Sequence, residues 1–198
     1  MDALITLGRT LGFSFAAGVN LYATVAILGL ASRYGWVTLP PQFAVFDSDL
    51  VIAVAAVLYA IEFFADKIPW VDTAWDAVHT FIRPVGGALI AVATLGEASS
   101  TMTGLVALLG GGVAASSHLT KAGARATVNT SPEPFSNWIL SLAEDVFVVG
   151  LGIVTLKYPL IALAVTAVLL VIIAVSALFI ARAVRRRFGR TDTSPVPL

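Results

Sequence analysis

The chain has 198 residues, 58% of them hydrophobic and only 12% charged, with twelve Lys and Arg against twelve Asp and Glu. Soluble domains are about 45–50% apolar and about 25% charged. These proportions exclude a disordered chain and, with no basic excess, argue against a nucleic-acid partner. They point to an integral membrane protein. Cysteine is absent, which excludes thiol catalysis, disulfide scaffolds and cysteine-based metal sites.

Six apolar stretches are read in chain order. Met1 to Thr10 lacks the pattern of a cleavable signal, so the first span, about Leu11 to Ser32, is expected to be retained. The second runs from about Leu50 to Ala65. The segment Ile68 to Ile82 alternates Trp70, Trp75 and Phe81 with Asp72, Asp76 and His79. It reads as an amphipathic helix lying at the membrane surface, started by Pro69 and with its polar face in solvent. The third span starts at Arg83-Pro84 and ends near Leu95. The fourth covers Met102 to Ser117, on to Arg125 at most, and its Gly110-Gly111-Gly112 run predicts a break or a re-entrant helix. The fifth runs from about Phe135 to Leu156 and the sixth from Pro159 to Ala181.

Positive charge orients these spans. With both termini in the cytoplasm, the inside carries Arg9, Lys67, Arg83, Lys121, Arg125, Arg182, Arg185, Arg186, Arg187 and Arg190, and the outside carries Arg33 and Lys157. The expected fold is an all-α membrane domain over residues 1–190 with about six transmembrane helices and the interfacial helix. It divides into two inverted three-helix repeats, about 8–100 and 101–184. Residues 191–198 are expected to form a disordered cytoplasmic tail, and the setting is a bacterial cytoplasmic membrane.

Ionisable side chains inside spans are costly and face a bundle interior or an aqueous cavity. Glu62 and Asp66 are four apart and share a helix face, as suits a bound cation or a proton. Asn137, Ser141 and Glu144 form a polar stripe with Asp145 beside it. His118, Lys121 and Arg125 form a cationic stripe among small residues, suited to counter-charging the acids or to meeting an anion. Lys67 and Arg83 join them as counter-charges, and Asn20 is a candidate coordinating group. Asp72, Asp76 and His79 have the spacing of a metal face, although a solvated polar face is the favoured reading. Each charged group also has a plainer reading, as a helix-end charge or an internal ion pair.

Gly18-Val19-Asn20-Leu21-Tyr22, Glu62 through Trp70, Asp72 through Asp76, Arg83-Pro84, His118 through Arg125 and Glu144-Asp145 together resemble a bacterial and plant membrane-protein family, domain of unknown function 4126. The resemblance spans about Leu4 to Phe188 and implies a fold but no substrate. Glu62 to Lys67 is also similar to the Glu-x-Gly-Asp-Lys motif of cation/proton exchangers, with one residue more and no glycine.

The leading expectation is a small transporter or ion pathway in which Glu62, Asp66, Glu144 and Asp145 take a cation or proton. No phosphate loop, zinc-protease pair or nucleophile elbow is present, so an enzyme is not favoured and no cofactor is expected. Membrane lipid, a small ion or small-molecule substrate and a second copy of the chain are the expected partners. The alternatives are a protein handling phospholipid or polyprenyl phosphate through His118, Lys121 and Arg125, and a structural or assembly subunit.

Overall fold

The computed structural model describes residues 2–130 and 135–188. Helix α1 spans Asp2–Val19 and α2 spans Leu21–Arg33, and a short 3-10 turn covers Pro41–Asp47. Then come α3 (Asp49–Ala65), α4 (Pro69–Leu95), α5 (Ser100–Val128), α6 (Phe135–Lys157) and α7 (Pro159–Phe188). No strand occurs among the described residues. The expected tail, 191–198, lies outside them.

Local sequence sets the helix boundaries. Ser48 caps α3 by accepting from the Val51 N–H, and Ser99 caps α5 by accepting from Met102. Each satisfies one of the four N–H groups that a helix start leaves without a partner. Pro69 and Pro159 begin α4 and α7, where a missing N–H costs nothing. Gly96, at φ 86°, stops α4 in a conformation that a side chain would strain.

Four helices, α4 to α7, are long and apolar enough to cross a membrane, and α3 follows at 17 residues. The molecule is an all-helical membrane protein. Asn129 at the end of α5 donates to the Pro69 carbonyl at 3.1 Å. The start of α4 and the end of α5 therefore share one end of the bundle, called the lower end below. The starts of α5 and α7 lie at the upper end.

The first expected span, 11–32, does not pass straight through. At the upper end α1 packs Gly8 on the start of α7 at Pro159, and Thr94 near the end of α4 donates to Thr10 at 3.3 Å. Further down, Ser14 donates to the Gly87 carbonyl, and Ser117 donates to the Phe15 carbonyl. The chain then breaks at Asn20 and turns back. Leu21 lies over Gly86, Ile27 over Gly152, and Leu28, Ala31 and Val37 join Ile90 and Leu156 in one apolar cluster. Arg33, the last residue of α2, pairs with Asp49 at the start of α3 at 2.6 Å. In place of six through-going spans, α1 and α2 form a hairpin that enters half-way and leaves by the end it came from, and α3 to α7 run between the two ends. The start of α1 and the end of α7 thus lie at opposite ends of the bundle, which corrects the expectation of both on one side.

Two further expectations are corrected. The interfacial helix and the third span are one helix, α4, running through Pro84. Its face of Asp72, Asp76, His79 and Arg83 is buried, while Trp70, Val78 and Phe81 are exposed. The polar face points into the bundle because the other helices supply charges to meet it, and the apolar face is left for lipid. Helix α5 is continuous through Gly110-Gly111-Gly112, so it is neither broken nor re-entrant. A Cβ on Gly110 would overlap the Ala91 Cβ, and one on Gly87 would overlap the Ala114 Cβ. These glycines let α4 and α5 approach closely, as small residues do between membrane helices.

Candidate functional site

A compartment in the lower half of the bundle gathers almost every polar residue singled out above. It is built from the end of α3, the first half of α4, the second half of α5 and the first half of α6. The α1–α2 break closes it from above. Glu62, Asp66, Asp72, Asp76, His79, Arg83, His118, Lys121, Arg125, Asn137, Ser141 and Asp145 are all buried. It extends from the turn after α3 up to Arg83, a rise of about 21 Å along α4 from Pro69 at 1.5 Å per residue.

Arg83 is its upper anchor. The guanidinium lies 2.7 Å from Glu62 Oε1, 3.4 Å from Asp76 Oδ1 and 3.2 Å from the Gly18 carbonyl at the end of α1. It also lies 2.7 Å from His118 Nδ1. An arginine only donates, so in the neutral ring His118 Nδ1 accepts and its Nε2 carries the proton, directed at Thr80 Oγ1 at 3.1 Å. His79 is held the opposite way. Its Nδ1 meets the Trp75 carbonyl at 2.7 Å, which only accepts, so its Nε2 accepts from the Tyr22 hydroxyl at 2.9 Å. Neighbours thus fix the tautomer of both histidines.

Lys121 and Arg125, one turn apart on α5, cross-link the acids. Lys121 Nζ lies 3.0 Å from Asp66, 3.3 Å from Glu62 and 3.7 Å from Glu144. Arg125 lies 2.9 Å from Asp66, 3.1 Å from Glu144 and 3.8 Å from Asp72. It also donates to Asn137 Oδ1 at 2.6 Å, while Asn137 donates to the Asp66 carbonyl at 3.0 Å. Asp66 sits in the turn after α3. Burial alone would raise its carboxyl, but the Lys121 and Arg125 charges beside it outweigh burial and hold it below the ordinary carboxylate range. Lys67 lies over the Phe63 ring, 3.2 Å from its centroid, and donates to Ser141 at 3.3 Å.

The acids outnumber these cations. Glu62, Asp66, Asp72, Asp76, Glu144 and Asp145 face Lys67, Arg83, Lys121 and Arg125. Among the described residues, Glu62 Oε2, Asp66 Oδ1, Asp72 Oδ1, both Asp76 oxygens and Asp145 Oδ2 are buried without a hydrogen bond, although Arg83 and Arg125 pair at longer range with Asp76 Oδ1 and Asp72 Oδ1. Two cavities reach the compartment. One, of about 280 Å³ between α1, α5 and α6, ends on Lys121 and Glu144, with Phe15 and Phe147 in its wall. The other, of about 220 Å³ between α4 and α5, is lined by Thr73, Asp76, Thr80 and Arg125.

Asn20 does not coordinate within this compartment. Its side chain accepts from the Ala23 N–H at 2.9 Å, capping α2. Asp72, Asp76 and His79 do not converge either. Asp72 takes Asn129 at 2.7 Å and His79 takes Tyr22. Among the described residues, no group of three His, Asp or Glu is arranged to hold a metal ion. Sequence reasoning missed Tyr22, Thr80 and Asn129, which orient His79, His118 and Asp72. Their spacing carries no signal, because each meets its partner across helices.

Residues 7–178 match the model of the family described as domain of unknown function (DUF4126). The chain belongs to this family. No curated protein and no solved structure matches it. Every residue of the DUF4126 compartment named above lies within the matched segment.

Proposed function

We propose that this protein is a small transporter or ion pathway that carries a cation or proton on its buried carboxylates. The observation that carries this reading is the imbalance of the compartment, among the described residues six carboxylates against four fixed cations, with several buried carboxylate oxygens that make no hydrogen bond. Charge buried away from water is stable only when paired, protonated or bound to an ion, and the surplus acids have the last two routes. The cavities at Glu144 and Asp76 give a cation or proton a way in.

The compartment reaches only part-way. Above Arg83, α4 and α5 close on each other through tight Gly–Ala contacts, as suits a transporter open to one side. Positive charge gathers at the lower end, where Arg182, Arg185, Arg186 and Arg187 close α7, so that end is assigned to the cytoplasm of a bacterial inner membrane. Helices α2, α3 and α4 run in directions opposite to α5, α6 and α7, which supports an inverted repeat with α2 as a half-length member. Membrane lipid and a second copy of the chain are partners that this size and surface suit.

The phosphate-handling reading draws less support, because Arg125, which borders a cavity, is already paired with Asp66 and Glu144, and His118 meets Arg83 and Thr80. The structural reading is favoured by the number of ion pairs that tie α3, α4, α5 and α6 together. Flux separates it from transport. Purified protein in liposomes is expected to move protons or a monovalent cation under an imposed gradient, and Glu144→Gln and Asp76→Asn to slow that movement at unchanged folding. Flux equal to that of empty liposomes across a panel of ions refutes transport.

A further inference from the structure

The cavity that ends on Glu144 does not stand alone. A second groove, of about 570 Å³, runs between α5 and α7 along Leu119, Gly123, Ile172, Ser176 and Ile180, and the two share Thr120 and Ala124 as common wall. The two adjoin at these residues, so the groove on the outer surface of α5 and α7 leads to the edge of the cavity that ends on Glu144. Two facts decide what these adjoining spaces accept. The charge it presents is an acid, since the Glu144 side chain is 14% exposed and the Lys121 side chain only 2%, with three carboxylates around its ammonium. Beside that acid stand two aromatic rings, Phe15 and Phe147, in an edge contact with centroids 6.1 Å apart. A carboxylate at the end of an aromatic, apolar cavity is complementary to a cation with a greasy surface.

We infer that the adjoining cavity and groove between α5, α6 and α7 bind a lipophilic organic cation, an ammonium or phosphonium with apolar substituents, with Glu144 as its counter-charge. A hydrophobic cation partitions into the bilayer and needs no aqueous entrance, which suits an opening between membrane helices. A phospholipid headgroup fits less well. Glu144 lies about 10 Å further along α6 than Asn137, which is level with the turn after α3, so a headgroup would have to sink that far into hydrocarbon. The inference rests on Glu144 being the open end of the compartment proposed above to carry cations, and it adds the class of cargo.

The test is equilibrium binding, which needs no flux and so fails independently of the transport reading. Tetraphenylphosphonium is titrated against full-length protein in nanodiscs, with empty nanodiscs and tetraphenylborate, the anion of the same shape, as controls. Saturable binding of the cation alone is expected, weakened at least tenfold by Glu144→Gln. Ala143→Phe, which fills the cavity and leaves the acid in place, guards against a Glu144 variant that fails to fold and is expected to abolish binding. Equal binding of cation and anion, or full affinity in both variants, overturns the proposal. So does competition by phosphatidylcholine that phosphatidylglycerol does not match, since the groove would then belong to a lipid headgroup.

Discussion

Arg83 donates to the Gly18 carbonyl at 3.2 Å, so a charge in the middle of α4 holds the broken end of α1. The same guanidinium neutralises Glu62 and approaches Asp76. Removing it leaves Asp76 without its ion-pair partner and Glu62 with Lys121 alone, and frees a helix end. Breaking one side of a buried ion pair costs about 3–5 kcal/mol. Arg83→Met is therefore expected to lower thermal stability in detergent sharply, and adding Glu62→Leu to recover part of the loss. A single variant that melts with the parent protein would show that Arg83 anchors nothing.

The glycines of α5 differ in what they face. Gly110→Ala forces a methyl into Ala91 on α4 and is expected to cost about 1–3 kcal/mol by overpacking. Gly112 has nothing within 4 Å of its missing Cβ, so Gly112→Ala is expected to be neutral or to stabilise by up to about 1 kcal/mol. Parallel thermal melts of the two variants check the order, and equal effects would contradict the close approach of α4 and α5.

Asp66 makes one part of the stability depend on pH. Its carboxyl is held below the ordinary value of about 4. Its contribution is then present in full above that value and is lost as pH falls through the lowered one. The gap in melting temperature between parent and Asp66→Asn is expected to be widest at neutral pH and to close under strong acid. A gap that widens on acidification would reverse the assigned direction.

The hairpin of α1 and α2 predicts the topology. The chain has no cysteine, so single cysteines report on sidedness directly. Leu4→Cys and Tyr34→Cys are expected to react with an impermeant maleimide from one side of the membrane, and Thr130→Cys and Arg187→Cys from the other. Labelling of Leu4→Cys and Arg187→Cys from the same side would restore a straight first span.

The helical membrane character and most of the charged compartment are legible in the sequence. Charged residues within apolar runs have few places to go. Glu62, Asp66, Lys121, Arg125 and Glu144 were legible for that reason. Two parts are not legible. Hydropathy counts apolar length and cannot see direction, so a hairpin that turns at Asn20 reads as one span. Likewise, the face of α4 with Asp72, Asp76 and His79 has the pattern of a helix lying in water, and only the charges on α3 and α5 turn it inward. Glycine reads in two ways as well. The Gly110 run marks a break or a close contact with the same letters, and the neighbour at Ala91 decides.

The turn at Asn20 also bears on how the protein assembles. The first thirty-three residues leave the ribosome before any of the groups that hold their midpoint exists. Ser117, Arg83 and His79, which engage Phe15, Gly18 and Tyr22, are made later, on α5 and α4. During synthesis the leading segment has the length and greasiness of an ordinary crossing helix. It acquires its fold back to the starting face only when later helices arrive to receive it. The native topology of the N-terminal segment is thus specified by residues far downstream, and a chain cut short before α5 would lack the instructions for its own beginning.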